Sequence, residues 1–452
     1  MTKHITVIGG GLAGCEAAWQ AAECGLNVTL YEMRPKVMTG AHKTGYLAEL
    51  VCSNSLGSLM ADRASGCLLR ELEQLGSLIV KCALSAAIPS GGALAVDREL
   101  FASCVTEKIE SHPNIKIVNE EITQITHEPT IIATGPLSSE GICKAIEELS
   151  GKEQLYFFDA IAPIVTYESI NKEKTFKASR YDRGILEEGD YINCPFDKAQ
   201  FERFVNELLA AERYPIKAFE KDIEHGVNAG NSQYFEGCLP IEVLAQRNPR
   251  ALLFGPLRPV GLKEPQTGKR PYAVVQLRQD DYRGSLYNLV GFQTNLTVAA
   301  QKKVIQLIPG LEEAEIVRFG QMHRNSFICS PLLLDATMQF RRRESLFFAG
   351  QITGVEGYLG SVASGWVAGV NAARWIEGKP LWILPPTTMI GSLMDYIAHA
   401  EPRTFQPMKA NFGLLPPIEM SKKLGKKERA QQLSLRADRE LKNWQRLCKN
   451  ED

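Results

Sequence analysis

Among its eleven cysteines the chain has no Cys-x-x-Cys pair, so it lacks the ligand spacing of a zinc framework and no metal is expected. It has no apolar run long enough to cross a bilayer, which argues against a membrane-spanning class. It has no excess of one charge. The net charge of −1 excludes a polycation, so any nucleic-acid partner must be held by local patches. No internal repeat or low-complexity stretch interrupts it. No charged n-region and long h-region stand between Met1 and Gly14, so the thiols are expected to be reduced and the protein cytoplasmic.

What is present is ordinary for a globular protein: 44% apolar and 23% charged residues,. The 452 residues exceed one typical domain, which points to a large composite domain with an insertion or a second domain. A core of that size needs no disulfides.

The segment HITVI, His4–Ile8, reads as a buried parallel strand,. It runs into Gly9-Gly10-Gly11-Leu12-Ala13-Gly14, then a helical pattern closed by Gly25, then LNVTLYE, a second strand ending at Glu32. Gly9, Gly11 and Gly14 form G-x-G-x-x-G inside a strand–helix–strand unit, with an acid about twenty residues further on. Gly9 allows the tight turn, Gly11 lets the backbone approach a pyrophosphate, and Gly14 lets the helix pack on the strand. The helix N-terminus offers free N–H groups to phosphates, and Glu32 can accept from the adenosine ribose hydroxyls.

Two later stretches choose between NAD and FAD. TIIATGP, Thr130–Pro136, reads as a buried strand ending at Thr134 and Gly135. Ser345–Val370 reads as a strand, a glycine turn at Gly350-Gln351, a loop through Gly357, then a small-residue helix from about Ser361. That order, with the last strand–helix far from the first, is the order of two-domain FAD proteins. The expected fold class is α/β: a Rossmann-like FAD-binding domain with an inserted α+β domain. The expected division is 1–154 for the first part of the FAD domain and 155–319 for the insertion on the substrate or RNA side. Residues 320–400 form the second part, and 401–452 a basic helical tail.

Two cysteines stand apart. Cys52 lies in ELVCSNSLGS, among small polar residues on a loop of the nucleotide domain. Cys238 lies in QYFEGCLPIE, a constrained turn of the insertion. On spacing alone each reads more readily as an indifferent cysteine than as a reactive one. A reactive thiol needs positive surroundings to ionise; His42, Lys43, Arg258 and Lys263 are within sequence reach.

The stretches LAELVCSNSLGS, YFEGCLPIE, FGPLRPVGL, YAVVQLRQD and FAGQITGVEGYLGSVASG together resemble the folate- and FAD-dependent tRNA (uracil-5-)-methyltransferases (TrmFO), over nearly the whole chain. The larger GidA (MnmG) flavoproteins are similar in the flavin segments, including Gln after Gly at Gly350-Gln351. The resemblance implies an enzyme that uses 5,10-methylenetetrahydrofolate and FAD, with electrons from NADPH or NADH. Its product is 5-methyluridine at position 54 of the tRNA T-loop. That chemistry needs a thiol to add at carbon 6 of the uracil and a base beside the flavin; Cys238 is assigned as the first and Cys52 as the base, or a guarding thiol, with the division between the two left open. No obligate protein partner is implied.

Three other readings remain: the same chemistry on a ribosomal RNA uridine, a flavin disulfide oxidoreductase pairing Cys52 with Cys238, and a non-catalytic flavin-bearing RNA-binding protein. The candidate RNA patches are Arg341-Arg342-Arg343, Lys269-Arg270 and the tail from Lys422.

Overall fold

The computed structural model describes residues 3–151, 155–160, 162–182, 184–214, 239–320, 322–418 and 425–451. Cys238 and most of its turn lie outside the described residues.

Alternation and β-branched residues drive the first sheet. Its five strands lie in the order 346–348, 130–132, 4–8, 27–32, 115–119, and every pairing is parallel. The strand 346–348 thus sits beside Thr130–Ile132, although more than two hundred residues separate them in sequence. Burial is greatest in the strands 130–132 and 346–348, whose residues are all buried, while the edge strand 115–119 buries only Ile115.

Two helices cover one face: Leu12–Glu23 and Tyr358–Ile376. They approach so closely that a Cβ at Gly365 would stand 2.4 Å from the Ala13 carbonyl oxygen, and one at Gly369 would stand 2.5 Å from that of Ala17. Small residues four apart on one face, met by alanines four apart on the other, bring the two backbones together. The second helix begins at Tyr358, a turn earlier than the Ser361 expected from its small-residue run. The left-handed Gly357 (φ +87°) redirects the chain directly into it.

The inserted segment has its own core and sheet. The strand order is 176–177, 191–196, 273–279, 286–289, 164–166, 316–318, with antiparallel pairing throughout. The helix Lys198–Ala210 covers it, opened by a reciprocal capping box between Asp197 and Gln200,. The chain enters and leaves through an antiparallel ribbon, 155–160 against 322–327. Strand Ala273–Gln279 divides its side chains by period two. Ala273, Val275 and Leu277 enter the second core, while Gln276, Arg278 and the following Asp280 are buried polar residues on the opposite side.

The C-terminal helix, Lys426–Glu451, is docked rather than loose. Leu433, Ala437 and Leu441 are buried in the first core, and Trp444 meets Trp366 and Trp382 edge-on. Its basic residues therefore decorate the outer face of an anchored helix. Of the arginine triplet, Arg341 donates to the Pro331 and Ala398 carbonyls and Arg342 to that of Ser150, so much of that patch is spent on internal contacts.

Candidate functional site

The carboxyl ends of the parallel strands open into one groove. Gly9, Gly10, Gly11, Leu12, Ala13, Glu32, Thr134, Gly135, Gly350, Gln351 and Ser361 all line it. Gly9 has φ +108°, and a Cβ there would press on the Ala133 carbonyl oxygen at 2.5 Å. Gly14 faces inward: its Cβ would overlap the Gly9 carbonyl oxygen at 1.8 Å. Gly11 differs from both. Its Cβ would meet nothing within 4 Å, so glycine at this position leaves room for a ligand rather than for protein.

The helices that reach the groove also lack side-chain caps. Gly11 and Gly357 are the N-caps of Leu12–Glu23 and Tyr358–Ile376, and neither supplies an acceptor. Elsewhere Ser77, Asp97, Thr297 and Thr388 cap their helices. A pyrophosphate would supply the missing acceptor at the first turn.

Glu32, at the end of the second strand, accepts from the Gly10 N–H at 2.9 Å, from the Arg34 N–H at 2.9 Å and from Arg34 Nε at 3.0 Å. Burial pushes its carboxyl up, but the hydrogen bonds and charge of Arg34 outweigh burial and hold it below the usual carboxylate range,. A ribose would share the carboxylate with these donors. Arg34 also bridges to Glu49 at 3.3 Å, tying the second strand to the segment that leads to Cys52.

Cys52 lies next door. A cavity of about 500 Å³ is lined by Cys52, Arg278, Gln293, Glu356, Gly357 and Lys409, among others. Val51, Pro136, Leu137, Gln351 and Tyr358 line both the groove and this chamber. The chamber is therefore the continuation of the groove past Gln351.

The Cys52 loop is held from three directions. Its N–H donates to the Tyr358 hydroxyl at 3.0 Å. Arg98 donates to the Leu50 and Cys52 carbonyls, and its Nε pairs with Asp280 at 2.9 Å. Arg278 donates to Asn54 Oδ1 at 2.9 Å and to Ser53 Oγ at 2.7 Å, while Arg318 donates to the Val51 carbonyl at 2.8 Å. Burial lowers the pKa of Arg278 and Arg318, and the neighbouring Arg98 lowers both further. Arg278, Asp280 and Arg318 come from the insertion, Arg98 from the helix Arg98–Ser111. Three guanidinium groups thus converge on the loop that carries Cys52.

Of the basic residues within sequence reach, His42 lines the groove. Lys43 has its pKa lowered by burial and then by Arg318, which puts it beside the same cluster. Arg258 and Lys263 line neither cavity. Sequence reasoning missed Arg98, Arg278, Arg318, Glu356, Tyr358 and Lys409. Arg278 had a readable signal: charged and amide residues at alternate positions of an otherwise apolar strand. The others depend on tertiary contact. Among the described residues no cluster of His, Cys, Asp or Glu is placed to hold a metal, and no helix is long and apolar enough to cross a membrane.

A parallel sheet with a glycine cradle, a groove at its carboxyl edge and a late strand–helix returning to that edge defines the Rossmann-like FAD-binding fold class. The chain belongs to the family described as glucose inhibited division protein A, whose model matches residues 4–380. It is 54% identical over 443 residues to the methylenetetrahydrofolate--tRNA-(uracil-5-)-methyltransferase TrmFO of Halalkalibacterium halodurans, covering 98% of this chain and 99% of that one. It is 55% identical over 441 residues to the protein of the same name from Anoxybacillus flavithermus, covering 98% and 99%. The solved structure of Aquifex aeolicus GidA, in its form II crystal, matches with a TM-score of 0.69 at 17% identity, covering 98% of this chain and 73% of that one. That likeness shows the fold.

Proposed function

We propose that the chain is a folate- and flavin-dependent tRNA uridine C5-methyltransferase. The observation that carries this reading is the continuity of the dinucleotide groove with the thiol chamber through Gln351 and Tyr358. The names of the full-length relatives support it.

We assign the FAD pyrophosphate to Gly9 through Gly14 and to the uncapped helix N-termini, and the adenosine ribose to Glu32. Thr134, Gly135, Gly350, Gln351, Gly357 and Ser361 are assigned to the rest of the cofactor. Bound flavin, re-reduced by NADPH or NADH, supplies the two electrons that bring a methylene unit to the methyl level.

The other steps need thiols. Carbon 5 of uracil is a poor nucleophile until a thiolate adds at carbon 6. We assign that addition to Cys238, which lies outside the described residues. The ring then attacks the folate methylene through carbon 5 as the bond from that methylene to the folate nitrogen breaks; the C5 proton must leave, and the Cys238 sulfur is expelled from carbon 6 as the methylene is reduced to methyl. We assign removal of the proton to Cys52. The N–H of Cys52 is anchored on Tyr358, and the positive surroundings from Arg98, Arg278 and Arg318 favour an ionised thiol able to take a proton. Residues 155–319 are assigned to the RNA side, with the target base drawn out of its stack to reach the chamber.

The experiment is nucleoside analysis of unmodified tRNA incubated with the protein, 5,10-methylenetetrahydrofolate and NADPH. Folate-dependent 5-methyluridine in the T-loop is expected. Methylation of a ribosomal RNA fragment in preference to a T-loop minihelix would move the substrate, and folate-independent dithiol oxidation would replace the reading with an oxidoreductase. With 5-fluorouracil-containing RNA, Cys238→Ala is expected to lose the covalent adduct and keep its flavin. An adduct that persists refutes the nucleophile assignment.

A further inference from the structure

The helices Leu78–Ser85 and Arg98–Ser111 are joined by a short hairpin, in which Ala87–Ile88 pairs antiparallel with Ala93–Val96. The hairpin fixes one helix against the other. The Asp97 N–H donates to the Ala86 carbonyl at 3.0 Å, so the C-cap of the first helix meets the N-cap of the second. Side chains close both N-termini, Ser77 accepting from the Val80 N–H and Asp97 from the Leu100 N–H,.

This frame brings two cysteines together. Cys82 lies in the last turn of the first helix and Cys104 in the middle of the second. Their sulfur atoms are 3.1 Å apart. Neither residue lines the groove or the chamber, so the pair lies outside the chemistry proposed above.

The two thiols differ in access. Cys82 is buried, at 1% exposure, whereas Cys104 is half-buried. Leu100 and Lys108 stand one turn to either side of Cys104 on the same helix face,. Leu100 is 48% exposed, so solvent reaches that edge. Burial, and then contact with Cys104, pushes the Cys82 thiol up, while the charge of Lys108 pulls it down,. Cys104 is therefore the sulfur that an outside reagent meets first, and Cys82 is the sulfur held ready behind it.

We propose that Cys82 and Cys104 form a redox site, which exchange with a small-molecule disulfide of the oxidised glutathione type closes into a reversible bond between the two helices. The Cys104 thiolate attacks one glutathione sulfur, the glutathione S–S bond breaks, and the first glutathione leaves as a thiolate. The Cys82 sulfur then attacks Cys104 Sγ in the mixed disulfide and expels the second glutathione. Two cysteine thiols are oxidised, one glutathione disulfide is reduced, and the two protons end on the two glutathione thiols. The second step is favoured because the attacking sulfur is already in contact, so it reacts as an intramolecular group. Closing the gap to the bond length of about 2 Å moves two side chains by about 1 Å in all.

The test uses the flavin-loaded full chain incubated with excess oxidised glutathione. Remaining thiols are blocked with N-ethylmaleimide, and tryptic peptides are mapped by mass spectrometry. Cleavage after Lys81, Arg98 and Lys108 puts Cys82 in peptide 82–98 and Cys104 in peptide 99–108, so a bond between them is read as one linked species. That species is expected in the wild type, and dithiothreitol is expected to return both peptides to free thiols. In Cys82→Ser the resolving sulfur is gone, and a glutathione adduct is expected to accumulate on Cys104. Visible flavin absorbance reports that each protein is folded. The proposal is overturned by a wild type in which both peptides carry only N-ethylmaleimide. It is equally overturned by a glutathione adduct that persists on wild-type Cys104, by either cysteine linked to a different partner, or by a Cys82→Ser protein that takes no glutathione on Cys104.

Discussion

Replacing Arg98 tests whether the insertion fixes the Cys52 loop through charge. The Arg98 side chain is 16% exposed and that of its partner Asp280 is 3% exposed. Asp280 Oδ1 has no hydrogen-bond partner among the described residues, so the carboxylate depends heavily on Arg98. Arg98→Met leaves that charge buried without its guanidinium, which costs about 3–5 kcal/mol. The Leu50 and Cys52 carbonyls lose their donor as well, at about 1 kcal/mol each where water does not replace it. Asp280→Asn strands the arginine instead, though Arg98 keeps both carbonyls and solvent can reach its edge, so a smaller loss is expected. In Arg98→Met/Asp280→Asn neither charge remains. The double variant is expected to be more stable than the sum of the singles by about 2 kcal/mol or more, as groups in one network are not additive. Urea unfolding of the four flavin-saturated proteins, followed by tryptophan fluorescence, measures the cycle. A second readout separates positioning from stability. The rate of native-state alkylation of Cys52 is expected to stay altered in the double variant, because the carbonyl clamp and the positive charge are both gone. Additive single effects refute the network, and a Cys52 alkylation rate equal to that of the wild type refutes the clamp.

The glycine cradle separates fold from ligand. Gly11→Ala is expected to leave apoprotein stability within about 0.5 kcal/mol but to reduce flavin retention, read from the visible spectrum after desalting. Gly14→Ala is expected to destabilise the apoprotein itself, by about 1–3 kcal/mol, since its Cβ overlaps the Gly9 carbonyl; equal stability of the two variants refutes the distinction. Glu71 predicts a pH dependence. Burial pushes its carboxyl up from 4.5 to about 7, against the Met389 and Ile390 N–H groups that favour ionisation. The native state holds the extra proton between these values, so the Glu71 contribution to stability falls as pH rises from about 4.5 to about 7 and is flat above that. The change is about 3 kcal/mol. It appears as a fall in wild-type stability relative to Glu71→Gln from about pH 4.5 to about pH 7, and a constant difference refutes it.

Much of the nucleotide end was legible because its signals are local. The strand His4–Ile8, the glycine turn and the strand ending at Glu32 lie within thirty residues of one another, and the type of each follows from period and glycine chemistry. The same holds for the helix Lys198–Ala210, with its amphipathic face and capping box. Boundaries were less legible. The helix expected from about Ser361 begins at Tyr358, because the left-handed glycine before it, rather than the small residues within it, sets where it starts.

The sequence by itself determined the glycine cradle, the acid at Glu32, the late strand–helix and the presence of thiols in small-residue loops, since each depends on residue type and short-range spacing. Only the tertiary structure decided what surrounds Cys52. Arg98, Arg278 and Arg318 come from distant parts of the chain, and Tyr358 is 306 residues away. They meet because the parallel sheet closes with its last strand beside Thr130–Ile132 and because one strand of the insertion turns its polar face inward. An arginine's place on that face follows from period two, but what the face meets follows from how two cores pack. No local pattern encodes that contact.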